Sequence, residues 1–112
     1  MKSIDVAKDF SPAPAGRVER DGPFSGDALA QRVHIALASE DAVELHLDGG
    51  AGYGASFISG FAEGLHTRGW MPAMLATRLR LQTANRELMK EFWAELIGPD
   101  APSPPARPGE RQ

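Results

Sequence analysis

The sequence predicts an α/β domain in which a mixed sheet of about four strands carries its helices mainly on one face. Two observations support this prediction. Short runs alternate apolar with polar residues, as strands do, and the later runs are followed by stretches with apolar residues every three to four positions, as in amphipathic helices. The run over residues 43–48 alternates, whereas a strand buried on both faces would be continuously apolar. We therefore expect the second face of the sheet to be partly open, or to be covered by a partner or by a second copy in a homodimer.

The first part of the chain predicts two short strands and one helix. Residues 4–10 begin with the alternating Ile-Asp-Val pattern of a strand, and the Pro- and Gly-containing residues 11–16 break regular structure. Residues 17–20 are then expected to form a second, equally short strand. Ser25 suits the N-cap of the first helix, whose apolar stripe fades at residues 39–41.

The centre of the chain predicts a strand and a helix joined by a glycine-rich loop. The strand covers residues 43–48, and the loop over residues 49–54 contains four glycines. We expect Ser56 to cap the helix that follows, because a serine hydroxyl suits that position. Its apolar stripe includes Phe57, Phe61 and Leu65, and we expect Gly69 to end it.

The last part of the chain predicts a short helix, a fourth strand and a final helix. Pro72 suits the first turn of the short helix, and residues 79–82 alternate as a strand. Thr83 is the expected N-cap of the final helix, which buries Leu88, Met89, Phe92, Trp93, Leu96 and Ile97. Residues 99–112 hold five of the nine prolines and almost no apolar residues, which predicts a disordered tail after a domain over residues 1–98.

The composition argues against several classes of function. A net charge of −3 gives no general attraction to nucleic acid or to an anionic membrane, so we expect neither as a partner. The absence of cysteine removes disulfides, thiolate catalysis and sulfur-ligated metal. No apolar run approaches the roughly 20 residues that span a bilayer, and charges occupy the positions where a signal peptide is apolar. We therefore expect a single cytoplasmic domain.

Several short motifs resemble those of a known family. They are Phe10-Ser11, Pro14-Ala15-Gly16-Arg17, Asp21-Gly22-Pro23, Ser25-Gly26, Leu47-Asp48-Gly49 and the Gly-Tyr-Gly-Ala-Ser-Phe run over residues 52–57. These motifs, in this order of strands and helices, resemble the STAS family, the sulfate-transporter and anti-sigma-factor-antagonist domains, and are most similar to a bacterial STAS-like family of unknown function. The resemblance covers most of residues 1–97. The chain departs from the family pattern at Ser59-Gly60, where an acidic pair is usual.

The resemblance implies a non-enzymatic regulator with a STAS-like fold. In anti-sigma-factor antagonists, a serine at the start of the helix after the central strand is phosphorylated by an ATPase-type protein kinase, and the unmodified domain binds that kinase. Ser56 occupies the matching position, although Ala55 stands where the family usually has an acidic residue. The implied partner is an ATPase-type kinase or an anti-sigma-like protein, with no catalytic residue, cofactor or metal. The expected partner-binding loop comprises Asp48, Gly49, Gly52, Tyr53, Gly54, Ala55 and Phe57.

The glycine loop allows a second function, the sensing of a nucleotide or another small anion at the helix N-terminus. Residues 50–55 fit the dinucleotide fingerprint G-x-G-x-x-A, but they follow the third predicted strand, and no acidic residue stands at the expected distance on the next strand end. No Lys-Ser/Thr pair follows the glycines, so the loop is not a phosphate-binding P-loop. Glycines that let the loop turn beneath a helix are the simpler interpretation.

A third function, a small serine hydrolase, requires His46 and Asp48 to approach Ser56. Ser56 does not lie in a Gly-x-Ser-x-Gly elbow, and the three histidines show no metal-ligand spacing. Tyr53, by contrast, has no obvious packing role between its flanking glycines, so we expect an exposed interaction residue. Gly60 and Gly64 are expected to allow close packing of their helix.

Two further groups of residues have competing interpretations. Trp70, Met71 and Met74 suit either a partner surface or the closure of the core, and we favour the core. Arg78 and Arg80 are expected on one face of the fourth strand, where they are solvated or contact a phosphate.

Overall fold

The computed structural model describes residues 1–99 and has an α/β architecture. Its strands are β1 (Lys2–Asp5), β2 (Val43–His46) and β3 (Leu79–Gln82), and its helices are α1 (Gly26–Ser39), α2 (Ala55–Thr67), α3 (Pro72–Arg78) and α4 (Arg86–Leu96). The strands form one sheet in the order β1-β2-β3, and both neighbouring pairs are parallel. A π-helical turn, Val6–Phe10, follows β1, and a 3₁₀ turn, Glu19–Asp21, precedes α1. The expected disordered tail lies outside the described residues except for Pro99.

The predicted four-stranded mixed sheet is wrong, because both strand pairs are parallel and residues 17–20 do not form a strand. The Asp21 carboxylate accepts hydrogen bonds from the backbone N–H groups of Arg17 and Val18, at 3.2 and 3.3 Å, which closes the segment into a turn. In addition, the Arg17 carbonyl accepts from Asp27 N–H at 3.1 Å. The backbone groups of this segment are therefore used at the start of α1 and not in a strand ladder.

The first strand ends at Asp5, earlier than the predicted extension towards Phe10. The Asp5 carboxylate accepts from Lys8 N–H at 3.2 Å, and the Asp9 carboxylate accepts from Asp5 N–H at 2.7 Å. These reciprocal bonds favour a helical turn after β1. They also occupy the Asp5 N–H group, which would otherwise be open to another strand at this edge.

The two faces of the sheet differ in polarity. Ile4, Leu45 and Leu81 are in register across the three strands and are buried. The alternate register row brings Ser3, Glu44 and Arg80 together, and these side chains are exposed or half-buried. The apolar face contributes to a core whose largest fully buried side chains include Phe57, Phe61 and Phe92.

Helix α2 packs closely against α1 and against the segment that precedes α1, and glycines make this possible. A Cβ atom on Gly26 would lie 2.1 Å from the carbonyl oxygen of Phe57, and one on Gly60 would lie 2.3 Å from that of Arg17. A Cβ atom on Gly64 would lie 2.6 Å from the Ala30 Cβ. The predicted role of Gly60 and Gly64 in close packing is confirmed.

Several helix boundaries match the sequence predictions. Ser25 is the N-cap of α1, and its hydroxyl accepts from Ala28 N–H at 3.2 Å. Gly69, with φ of +96°, follows the end of α2, and Pro72 occupies the first turn of α3. Among residues 1–99, the structure has no helix with both the length and the apolar character needed to cross a bilayer.

Candidate functional site

The candidate site is the loop that joins the carboxyl end of β2 to the start of α2. In parallel sheets the carboxyl ends of the strands meet at one edge, where binding sites are common. Gly49 and Gly52 have φ values of +98° and +109°, a conformation that glycine adopts most readily. The loop is held in place because Ala51 N–H donates to the Pro12 carbonyl at 2.7 Å. A Cβ atom on Gly50 would lie 2.8 Å from the same oxygen, so this contact also requires a glycine.

Tyr53 connects the loop to the core through a hydrogen bond and aromatic contacts. Its hydroxyl donates to the Leu47 carbonyl at 2.7 Å, and its ring centroid lies 5.5 Å from that of Phe57 and 5.3 Å from that of Phe92. The prediction of an exposed tyrosine without a packing role is therefore wrong. Burial, followed by the charges of Asp48 and Asp5, raises the pKa of Tyr53 to about 12. The hydroxyl consequently stays protonated, and remains a donor, throughout the neutral pH range.

Asp48 connects the glycine loop to the start of α4. One carboxylate oxygen accepts from the Thr83 hydroxyl at 2.5 Å, and the other accepts from Ala84 N–H at 2.8 Å. The prediction of Thr83 as N-cap is wrong, because Asn85 is the N-cap and its side chain accepts from Leu88 N–H at 3.1 Å. Thr83 donates to Asp48 instead. Although Asp48 is exposed, both of its carboxylate oxygens take part in this internal connection.

Ser56 does not cap α2, contrary to the prediction. The helix begins at Ala55, and its N-cap is Gly54, which has the extended φ and ψ values of −80° and 160°. Ser56 is therefore the second helical residue. Its side chain is exposed and makes no hydrogen bond within the part of the chain that the structure describes. The first turn of α2 contains no acidic residue.

The remaining residues of the predicted loop divide into buried and exposed groups. Phe57 is fully buried, and its ring packs against Tyr53 and, at a centroid distance of 6.5 Å, against Phe10. Gly49, Gly52, Gly54 and Ala55 are exposed. The accessible surface of the loop thus consists mainly of backbone and small side chains, together with the Ser56 hydroxyl.

The sequence interpretation missed two features beside this loop. Phe24 is 43% exposed, and its ring meets that of Phe10 edge to face at 5.5 Å. Arg17 lies across α2 and forms an ion pair with Glu63 at 2.8 Å. No sequence pattern signals either contact, because the paired residues are far apart in the chain and belong to irregular segments or to exposed helix positions.

The trio required for a hydrolase is not assembled. His46 Nε2 lies 2.8 Å from a carboxylate oxygen of Glu44, and Asp48 binds Thr83 and Ala84. Neither residue is hydrogen-bonded to Ser56. The structure therefore gives no support to these three residues as a catalytic unit.

The other two histidines have separate structural partners. His34 Nδ1 accepts from the Trp70 indole N–H at 2.9 Å, and His66 Nε2 lies 2.9 Å from the Leu96 carbonyl oxygen. Over residues 1–99, no group of three or more His, Cys, Asp or Glu side chains is arranged to hold a metal ion.

The predicted placements of residues 70–74 and of Arg78 and Arg80 are only partly confirmed. Trp70 is buried, as the favoured core interpretation requires, whereas Met71 and Met74 are exposed. Arg78 is the last residue of α3 and not a strand residue, so the predicted shared strand face with Arg80 is wrong. The Arg78 guanidinium donates to the carbonyls of Leu37, Glu40 and Asp41, at 2.7 to 3.0 Å, where α1 ends.

Comparison of the chain with protein-family models, with curated proteins and with solved structures finds no match.

Proposed function

We propose that this chain is a non-enzymatic regulatory domain that binds a protein partner where α2 begins and is switched by phosphorylation of Ser56. The proposal combines the resemblance to STAS-type anti-sigma-factor antagonists with the environment of that serine. The partner implied by the resemblance is an ATPase-type serine kinase or an anti-sigma-like protein. The expected output is a transcriptional or stress response.

The observation that carries the proposal is the accessibility of the Ser56 hydroxyl. It is exposed in the first turn of α2 and makes no structural hydrogen bond within residues 1–99. A kinase can therefore reach this oxygen without breaking a bond that stabilises the domain. Transfer from ATP forms the bond between Ser56 Oγ and the γ-phosphorus and breaks the bond to the β-phosphate oxygen. ADP leaves, and the hydroxyl proton passes to a base of the kinase.

The electrostatics of the helix explain how one group can act as a switch. A phosphate adds a charge of about −1.5 to −2, which the positive end of the α2 dipole and the unpaired N–H groups of its first turn stabilise. The domain itself is therefore expected to stay folded. At an interface that fits the neutral hydroxyl, the same charge is costly, because it must be desolvated and it repels acidic groups of the partner. Phosphorylation would release the partner without unfolding the domain.

A pull-down from lysate of the source cells, with ATP or ADP present, tests this proposal. The wild type and Ser56→Ala should retain an ATPase-type protein that Ser56→Asp loses. Ser39→Asp is the matched control, since it adds the same charge at an exposed serine at the C-terminal end of α1. Intact-mass analysis of the native protein should find phosphate on Ser56. Equal recovery with all baits would refute the switch.

The uncapped first turn of α2 also favours a second candidate, the sensing of a nucleotide or another small anion. Because the N-cap is a glycine, no side chain within the described residues accepts from the first-turn N–H groups. In this case, the melting temperature of Ser56→Ala should rise when nucleotide alone is added. An unchanged melting temperature with nucleotide would dismiss nucleotide sensing, and an unchanged one with inorganic phosphate as well would dismiss the candidate.

A further inference from the structure

The segment before α1 lies directly across the helix that carries Ser56. A Cβ atom on Gly60 would be 2.8 Å from the Arg17 Cα atom and 2.3 Å from the Arg17 carbonyl oxygen, so the Arg17 backbone rests on α2 at Gly60. The Arg17 side chain then follows the helix towards its C-terminus. There its guanidinium donates to the Glu63 carboxylate at 2.8 Å.

Ser56 and Glu63 lie on the same strip of the helix surface, on opposite sides of this crossing point. They are seven residues apart, and at 3.6 residues per turn their side chains differ in direction by only about 20°. Ser56 is about 6 Å before Gly60 along the helix axis, and Glu63 is about 4.5 Å after it. The structure shows that the Arg17 side chain reaches Glu63, and from the axial spacing we expect an extended arginine side chain above Gly60 to reach Ser56 as well.

The present partner of Arg17 holds it weakly. The side chains of Arg17 and Glu63 are 42% and 65% exposed, and ion pairs this exposed contribute little to stability because water screens them. A phosphate dianion offers a guanidinium more charge than a carboxylate and the geometry for two parallel hydrogen bonds. The exchange from Glu63 to a phosphate on Ser56 therefore needs only a rotation of one exposed side chain.

We propose that, once Ser56 is phosphorylated, the Arg17 guanidinium leaves Glu63 and binds the phosphate. This inference rests on the proposed function, since it concerns the modified state of the same serine. Binding of Arg17 neutralises part of the added charge and leaves the Glu63 carboxylate unpaired, about 10 Å away along α2. Phosphorylation then changes two places on the helix surface, the phosphate itself and the newly unpaired Glu63.

Phosphoserine placed at position 56 during translation allows a test that does not depend on any cellular kinase. The second ionisation of the phosphate is followed by ³¹P NMR in the wild type, in Arg17→Gln and in Arg20→Gln. Arg20 is an exposed arginine of the neighbouring 3₁₀ turn and provides the matched change of charge. A bound guanidinium favours the dianion, so the wild type and Arg20→Gln should show an acid dissociation constant roughly threefold or more above that of Arg17→Gln.

Arg17→Lys is a second variant that keeps the positive charge and the alkyl stem but cannot form the paired hydrogen bonds. We expect it to give an intermediate constant. Identical constants in the wild type, Arg17→Gln and Arg17→Lys would overturn the inference while leaving the pull-down result intact. Conversely, a clear effect of Arg17 together with a failed pull-down would retain the contact and reject the partner switch.

Discussion

The hydroxyl of Thr83 donates to the Asp48 carboxylate at 2.5 Å and so joins the loop after β2 to the loop after β3. These loops follow adjacent parallel strands, so the bond closes the carboxyl edge of the sheet next to the start of α2. The second oxygen of Asp48 strengthens the connection by accepting from Ala84 N–H. Asp48, at the start of the glycine loop, is therefore hydrogen-bonded to the segment that precedes α4.

Removal of the Asp48 charge should affect the neighbouring tyrosine. Asp48→Asn keeps an acceptor for Thr83 but removes a negative charge that contributes to the raised pKa of Tyr53. We expect the pKa to fall below about 12 and to stay above 10.0, because burial is the larger cause and is unchanged. Tyr53 is the chain's single tyrosine, so phenolate absorbance reports this pKa directly. An unaltered titration curve would contradict the assigned contribution of Asp48.

Tyr53 should also make the protein less stable in alkaline solution. Its folded-state pKa of about 12 lies above the ordinary value of 10.0, so the unfolded chain loses the proton first. Stability from this group is complete below pH 10 and declines as the pH rises towards 12. Denaturant unfolding at several pH values should show a smaller alkaline loss for Tyr53→Phe than for the wild type. At neutral pH the variant should be about 1 kcal/mol less stable, because the Leu47 carbonyl loses its donor. Equal alkaline losses in both proteins would refute the prediction.

Sequence periodicity predicts an element correctly where the alternation of apolar and polar residues within that element decides which of its side chains are buried. In β2, the buried Val43 and Leu45 alternate with half-buried polar residues, so the strand is readable from its own residues. Ser25 and Ser56 show a limit of predicting helix caps from local sequence. Both precede an apolar helical stripe, yet only Ser25 is an N-cap. The difference depends on how the chain enters the helix, and for α2 that entry is set by distant contacts, including the bond from Ala51 to Pro12.

Residues 17–20 illustrate a second limit. The sequence predicts a short strand there, but local hydrogen bonds to the Asp21 carboxylate close the segment into a turn. The crossing over Gly60 is a tertiary contact that no local pattern signals. The sequence predicts a loop between β2 and α2, and the structure has a loop there. Neither the position of Ser56 within α2 nor the ion pair between Arg17 and Glu63 could be derived from the local sequence pattern.

Gly60→Ala tests whether this crossing is as tight as the structure indicates. Alanine has the higher helix propensity by about 1 kcal/mol, so an isolated helix would gain stability. Here the added methyl would meet the backbone of Arg17 at 2.3 Å, and we expect a net loss of about 1–3 kcal/mol from the forced displacement. Ser59→Ala is the matched control, since it loses only the exposed bond to Glu95. If Gly60→Ala melts at or above the temperature of the control, the close approach is wrong.

The N-cap of α2 offers a change that should stabilise the domain. Gly54 has nearly the same dihedral angles as Ser25, −80° and 160° against −79° and 167°, and a Cβ atom there would meet nothing within 4 Å. Gly54→Ser should therefore place a hydroxyl where it accepts from the first turn and raise stability by a few tenths of a kcal/mol. Gly52→Ser, at φ of +109°, should instead destabilise the loop. Thermal melts of the two variants would contradict this account if they shifted in the same direction.

Arg78 and Arg80 should differ sharply in their effects, although they are two residues apart. The Arg78 guanidinium binds three carbonyls at the end of α1 and lies 4.9 Å from the centroid of the Trp70 ring. Its replacement by alanine leaves partly buried acceptors without a donor and removes a cation–π contact, for an expected loss of about 2–3 kcal/mol. Arg80 is exposed on β3, and Arg80→Ala should change stability by no more than about 0.5 kcal/mol. Equal denaturant midpoints for the two variants would mean that Arg78 does not stabilise the end of α1.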